Sequence, residues 1–100
     1  MDYSKSRPIR HIVLFKVYEN TSNEDRQKAI ETLKKLGSEP GVLEWRIEES
    51  LDTRKGYVIA ENSLFEDNNK FQQFRASQNH KVAVEVMSKI ADWTVADYAE

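Results

Sequence analysis

The chain has 100 residues, 39% hydrophobic and 32% charged, with a formal net charge of −2. That length predicts one domain with one modest core, and the composition is globular, not disordered. The scattered, slightly acidic charge leaves no basic block for nucleic acid. The absence of cysteine excludes disulfides, thiolate nucleophiles and zinc–cysteine sites.

Lack of cysteine fits the cytoplasm. No apolar run reaches the roughly 20 residues needed to span a membrane, and the opening MDYSKSRPIR lacks the apolar stretch of a signal peptide. Residues 1–8 read as a flexible polar arm ending at Pro8, and residues 9–100 as a single domain.

From Ile9 to Tyr18 the chain is rich in β-branched and aromatic residues, which predicts a largely buried strand. Thr21 with Glu24 fits a capping box, and Ser22 with Asp25 is a near relative. The helix that follows places Ala29, Ile30, Leu33 and Leu36 on one face. Gly37 is expected as its left-handed C′ residue, with Pro40 ending any continuation.

Val42 to Leu51 alternates, Leu43, Trp45 and Ile47 against Glu44, Arg46 and Glu48, as a half-buried strand does. Residues 52–56 form a turn, and Tyr57 to Asn62 the third strand. Ser63 to Arg75 is expected to be helical, with Phe71 and Phe74 paired. Residues 76–79 interrupt it, a further helical stretch gathers Ala83, Val86, Met87 and Ile90, and Trp93 to Tyr98 is the last strand.

The order βαββαβ predicts an α+β, ferredoxin-like fold. Its four-stranded antiparallel sheet has strand one between strands three and four and helices on one face. Pairing Val13 with Val95 sets His11 opposite Asp97 and Phe15 opposite Trp93. If His11, Val13, Phe15 and Val17 share the uncovered face with Trp45 and Ile59, the patch is too apolar for a monomer. A second copy would cover it, giving a homodimeric α/β barrel.

Five segments carry a family resemblance: His11 followed by IVLFKV, PGV at 40–42, Gly56-Tyr57, SQNH ending in His80, and ADY at 96–98. In their order and spacing the chain resembles the stress-responsive α/β-barrel domain proteins, the Dabb family. The resemblance implies a ferredoxin-like fold and a dimeric barrel, and one member of the family works without metal or cofactor. A plant polyketide cyclase of that family uses a histidine opening strand one, a tyrosine before an HPAH segment, and the second histidine of that segment. His11 and His80 stand at the two histidine positions, whereas Phe74 replaces the tyrosine and Ser77 the first HPAH histidine.

The candidate catalytic set is therefore His11 as base, Asp97 fixing its tautomer, and His80 exchanging a proton at a pocket entrance. His80 also fits a helix-capping role. Phe15, Trp45, Ile59, Phe74 and Trp93 are candidates to line a site for a small apolar or aromatic ligand, and equally fit core filling. Glu61, on the face of Ile59, needs a partner if it is buried. Histidine and carboxylate spacing shows no zinc pattern. Three functions stay open: a cofactorless enzyme, either polyketide cyclase-like or antibiotic-biosynthesis-monooxygenase-like; a ligand-binding stress protein; and a non-catalytic structural dimer. An RNA-recognition module shares the strand order, but YVIAEN lacks its spaced stacking aromatics.

Overall fold

Strand β1 (Ile9–Val17) buries every second residue, Ile9, His11, Val13, Phe15 and Val17, in the computed structural model, which describes residues 7–100. Expectations for residues 1–6 lie outside the described residues. Arg7 and Pro8, the end of the expected arm, are tied to the C-terminus: the Glu100 amide donates to the Pro8 carbonyl at 2.9 Å, and Arg7 Nε to the Glu100 carbonyl at 2.5 Å.

Helix α1 (Asn23–Lys35) starts at Ser22, whose hydroxyl accepts from the Asp25 amide at 3.0 Å. Of the two capping patterns, the Ser22 one is used. Ala29, Ile30, Leu33 and Leu36 are buried, as their spacing requires. Gly37 departs from expectation. It lies in a 3-10 turn, Leu36–Ser38, and is not left-handed. Its small size serves packing instead, because a Cβ there would stand 2.7 Å from Trp45 Cδ1. Gly37→Ala is expected to cost about 1–3 kcal/mol, the usual cost of overpacking a rigid ring, read from urea unfolding. The left-handed residue is Gly41, with φ +87°, after Pro40.

Strands β2 (Val42–Glu49) and β3 (Tyr57–Phe65) form a hairpin with a bulge between Val42 and Glu44. Leu43 sits in that irregularity and is exposed, unlike Trp45 and Ile47. The predicted helix at Ser63 starts too early. Ser63, Leu64 and Phe65 continue β3 because β1 runs back to Ile9 and pairs Ile9 with Phe65. Ser63, fully buried, satisfies its hydroxyl by donating to the His11 carbonyl at 3.0 Å.

Helix α2 (Asn68–Ala76) is capped by Asp67, and α3 (Gln78–Ser88) by Ser77, which also ends α2. Ser77 Oγ accepts from the His80 amide at 3.1 Å, so the cap is Ser77 and not His80. Strand β4 (Ala91–Ala99) closes the antiparallel sheet in the order β2-β3-β1-β4. This is a ferredoxin-like fold with strand one between strands three and four.

The register of β1 with β4 is the expected one, His11 opposite Asp97 and Phe15 opposite Trp93. The face is reversed. His11, Val13, Phe15 and Val17 lie under the chain's own helices, the last three clustered with Ala29, Leu33 and Met87 and His11 beside Phe71. Trp45 and Ile59 are on that side too, with Trp45 Nε1 donating to the Leu33 carbonyl at 3.1 Å. The helices' apolar stripes need the most apolar sheet face. The uncovered face instead carries Arg10, Ile12, Leu14, Lys16 and Tyr98. There Arg10 meets Glu44 (3.1 Å), Asn62 (3.0 Å) and Glu100 (2.7 Å). His11, Phe15 and Trp45, expected on the uncovered face, are therefore not presented to a second copy there. Among the described residues no helix is long and apolar enough to cross a membrane.

Candidate functional site

The helix-covered core divides into two apolar clusters, one around Val13, Ile59 and Met87 and one around Phe65, Phe71 and Phe74. His11 lies where they meet, its ring 5.0 Å from that of Phe71 and 6.2 Å from that of Phe65. Position 11 is forced inward by the alternation of β1, so a titratable ring must find polar partners there. It finds two. Nδ1 is 2.5 Å from Asp97 Oδ1, across the β1–β4 pair, and Nε2 is 3.1 Å from Glu61 Oε2. Glu61 stands opposite Val13 in the β1–β3 ladder and thus diagonal to His11.

Beside this group is a cavity of about 230 Å³. His11, Glu61, Asp97 and His80 supply its polar lining, and Val13, Phe15, Leu33 and Met87 much of its apolar wall. Val95 and Trp93 also line it and remain 46% and 37% exposed, so its open side is the edge strand β4. Arg75, exposed on α2, borders it. The expected catalytic residues His11, His80 and Asp97 thus lie around one cavity. Of the expected ligand-lining residues, Phe15 and Trp93 face it. Trp45, Ile59 and Phe74 do not, being packed in the two clusters with Trp45 5.7 Å from Phe74.

The two histidines are pushed in opposite directions. Burial would lower the His11 pKa, but hydrogen bonds to Glu61 and Asp97 and the charges of both outweigh it, leaving it above the ordinary 6.5. His80 is held below 6.5, chiefly by burial, with the charges of His11 and Arg75 adding to the effect and Glu61 opposing it. The surroundings therefore favour the imidazolium at His11 and the neutral imidazole at His80, each relative to a free histidine. The two carboxylates are separated by the His11 ring, and among the described residues no group of three His, Asp or Glu side chains is arranged to hold a metal ion.

These shifts carry stability with pH. The His11 contribution is complete below its unfolded value of 6.5 and is lost as pH rises through the raised folded value. The His80 contribution is complete above 6.5 and is lost as pH falls toward its lowered folded value. Urea-unfolding free energies measured from pH 5 to 9 are expected to fall on both sides of the middle of that range. His11→Gln should flatten the alkaline limb and His80→Gln the acidic one. If either variant keeps both limbs, its assigned histidine is not the source.

A four-stranded antiparallel sheet, helices on one face and a cavity between them define a ferredoxin-like domain. The chain belongs to the stress-responsive A/B barrel domain (Dabb) family, whose model matches residues 9–100. No curated protein matches it. Among solved structures it is similar to a dimeric ferredoxin-like protein of unknown function from Thermobifida fusca, at 19% identity and TM-score 0.85 over 100% of this chain and 97% of that one. It is also similar to the hydroxynitrile lyase of Passiflora edulis, at 21% identity and TM-score 0.82 over 94% of each chain. A third similar structure is SnoaB, a cofactor-independent oxygenase of Streptomyces nogalater, at 10% identity and TM-score 0.77 over 95% of this chain and 94% of that one. At these identities the likeness shows the fold.

Sequence reasoning gave Glu61 no functional role, although it singled the residue out. The available signal was a carboxylate at an inward position of an apolar strand, one diagonal step from the candidate histidine. Met87, Leu33 and Ala83 were read only as helix core, since helical spacing cannot distinguish a core wall from a cavity wall.

Proposed function

We propose that this chain is a homodimeric, cofactor-free protein that binds a small apolar or aromatic molecule in the cavity of each protomer and performs acid–base chemistry on it. The observation that carries this is His11, buried between Asp97 and Glu61 on the wall of an otherwise largely apolar cavity. Strongly coupled titratable groups in a cleft are a feature of functional sites. A volume of about 230 Å³ falls below the ~300 Å³ at which ligand pockets usually begin, so the ligand is of single-ring size. Fold-sharing enzymes such as the Passiflora edulis lyase and the Streptomyces nogalater oxygenase lend support by analogy.

The dimer, formed through the sheet face bearing Ile12, Leu14 and Tyr98, is supported by the dimeric description of the Thermobifida fusca neighbour. A part in a stress response comes with the family description, and cytoplasmic location rests on the lack of cysteine. Light scattering on the purified chain, followed by NMR titration with single-ring aromatics, tests both halves. The expected result is a dimer mass and shifts concentrated at His11, Trp93 and Met87. A monomer at all concentrations removes the first half, and shifts only on the outer surface remove the second.

A further inference from the structure

Both nitrogens of His11 are engaged, Nδ1 with Asp97 and Nε2 with Glu61. In this arrangement the ring offers a bound molecule no lone pair. Glu61 is different. Its carboxylate lines the cavity, is only 4% exposed, and has Oε2 turned to His11. A carboxylate has about four acceptor positions, and one N–H uses one of them. His80, on the same cavity, is a second group with capacity to hydrogen-bond. Two carboxylates face one imidazole ring here, so even with that ring protonated the polar wall carries an excess negative charge in a low-dielectric setting. Arg75 borders the cavity but is exposed, with its guanidinium 5.7 Å over the Phe71 ring, and water screens it.

We infer that Glu61, oriented by His11, is the residue that reads the ligand, and that the cavity selects neutral single-ring molecules bearing a hydrogen-bond-donating hydroxyl over carboxylates of the same size. His11 is then a positioning residue that acts through Glu61. This deepens the ligand-binding reading above and rests on it.

Three probes of one ring size separate the two: phenol as neutral donor, benzoate as anion, toluene as apolar control, each titrated by NMR against the full chain. The wild type is expected to bind phenol about tenfold or more tighter than toluene, as for a hydrogen bond to a charged acceptor, and benzoate weakest. Glu61→Gln, nearly isosteric, is expected to bring phenol close to toluene, to improve benzoate, and to leave toluene unchanged. If toluene binds but phenol binds no better, or benzoate is preferred, or Glu61→Gln leaves the phenol preference intact, the inference is overturned while the cavity remains a ligand site. If the wild type binds none of the three at millimolar concentration, the ligand-binding reading falls and takes this inference with it. The wild-type comparison needs no variant to fold.

Discussion

His11→Ala is expected to destabilise the chain by about 3–5 kcal/mol at pH 6, below the ordinary histidine value that His11 exceeds, the range for removing one member of a buried ion pair. The substitution takes away the cation between two carboxylates and leaves Glu61, 4% exposed, facing Asp97 across the gap. Glu61 must then draw water in through the cavity, protonate or distort the strand, each at a cost. The Asp97 half of the pair adds little, because its side chain is 34% exposed and water screens it. Urea unfolding of both proteins gives the difference directly. A loss below about 1 kcal/mol, the scale of exposed ion pairs, would mean that Glu61 reaches water or another cation, and that the pair is not the structural unit described. His11→Ala is thus a poor probe of catalysis, since lost activity would not separate chemistry from folding.

The second large effect is at Phe74. Its ring is 3% exposed and lies 4.7 Å from Phe65, 5.7 Å from Trp45 and 5.1 Å from His80, centroid to centroid. Phe74→Ala opens a void between α2 and the sheet and is expected to cost about 3–5 kcal/mol. For a domain of this length, about 3 kcal/mol lowers Tm by roughly 12 °C or more, which a thermal melt resolves. Phe74→Leu retains most of the volume and should lose clearly less. Equal losses would show that aromatic edge contacts, and not filled space, hold this cluster. Phe74 stands where the family cyclase has its tyrosine, yet it does not line the cavity. Here that position serves packing.

The topology was legible because its signals are local. The Ser22 and Asp25 start and the Leu33 and Leu36 face follow from capping and helical period, and the Val13–Val95 register is the one that matches aromatic with aromatic and imidazole with carboxylate. Which sheet face the helices cover was not legible. Arg10 and Lys16 mark one side of β1 as the outer one, but Ile12 and Leu14 between them are as apolar as Val13 and Phe15 and blur that mark. The extension of β3 through Phe65 was hidden because Ser63 reads as a helix start, and it takes the pairing with β1 back to Ile9 and the Ser63 bond to the His11 carbonyl to explain it. Bringing His11, Asp97 and His80 to one cavity needed the register and the break at Ser77. The role of Glu61 needed the cavity itself.

The Arg10 network on the uncovered sheet face bears on how a partner would sense ionic strength. Arg10 is bound to Glu44 and Glu100, and Arg46 to Glu48, before any second molecule arrives. Where its charges are joined in this way, the face presents mostly short-range dipoles to an approaching copy. Added salt, which weakens attraction between separated whole charges, has little there to screen. Association through this face would draw its strength from Ile12, Leu14 and Tyr98 and hold nearly level from dilute buffer to concentrated salt. The ion pairs would fix the relative orientation of the two sheets and add little to their affinity.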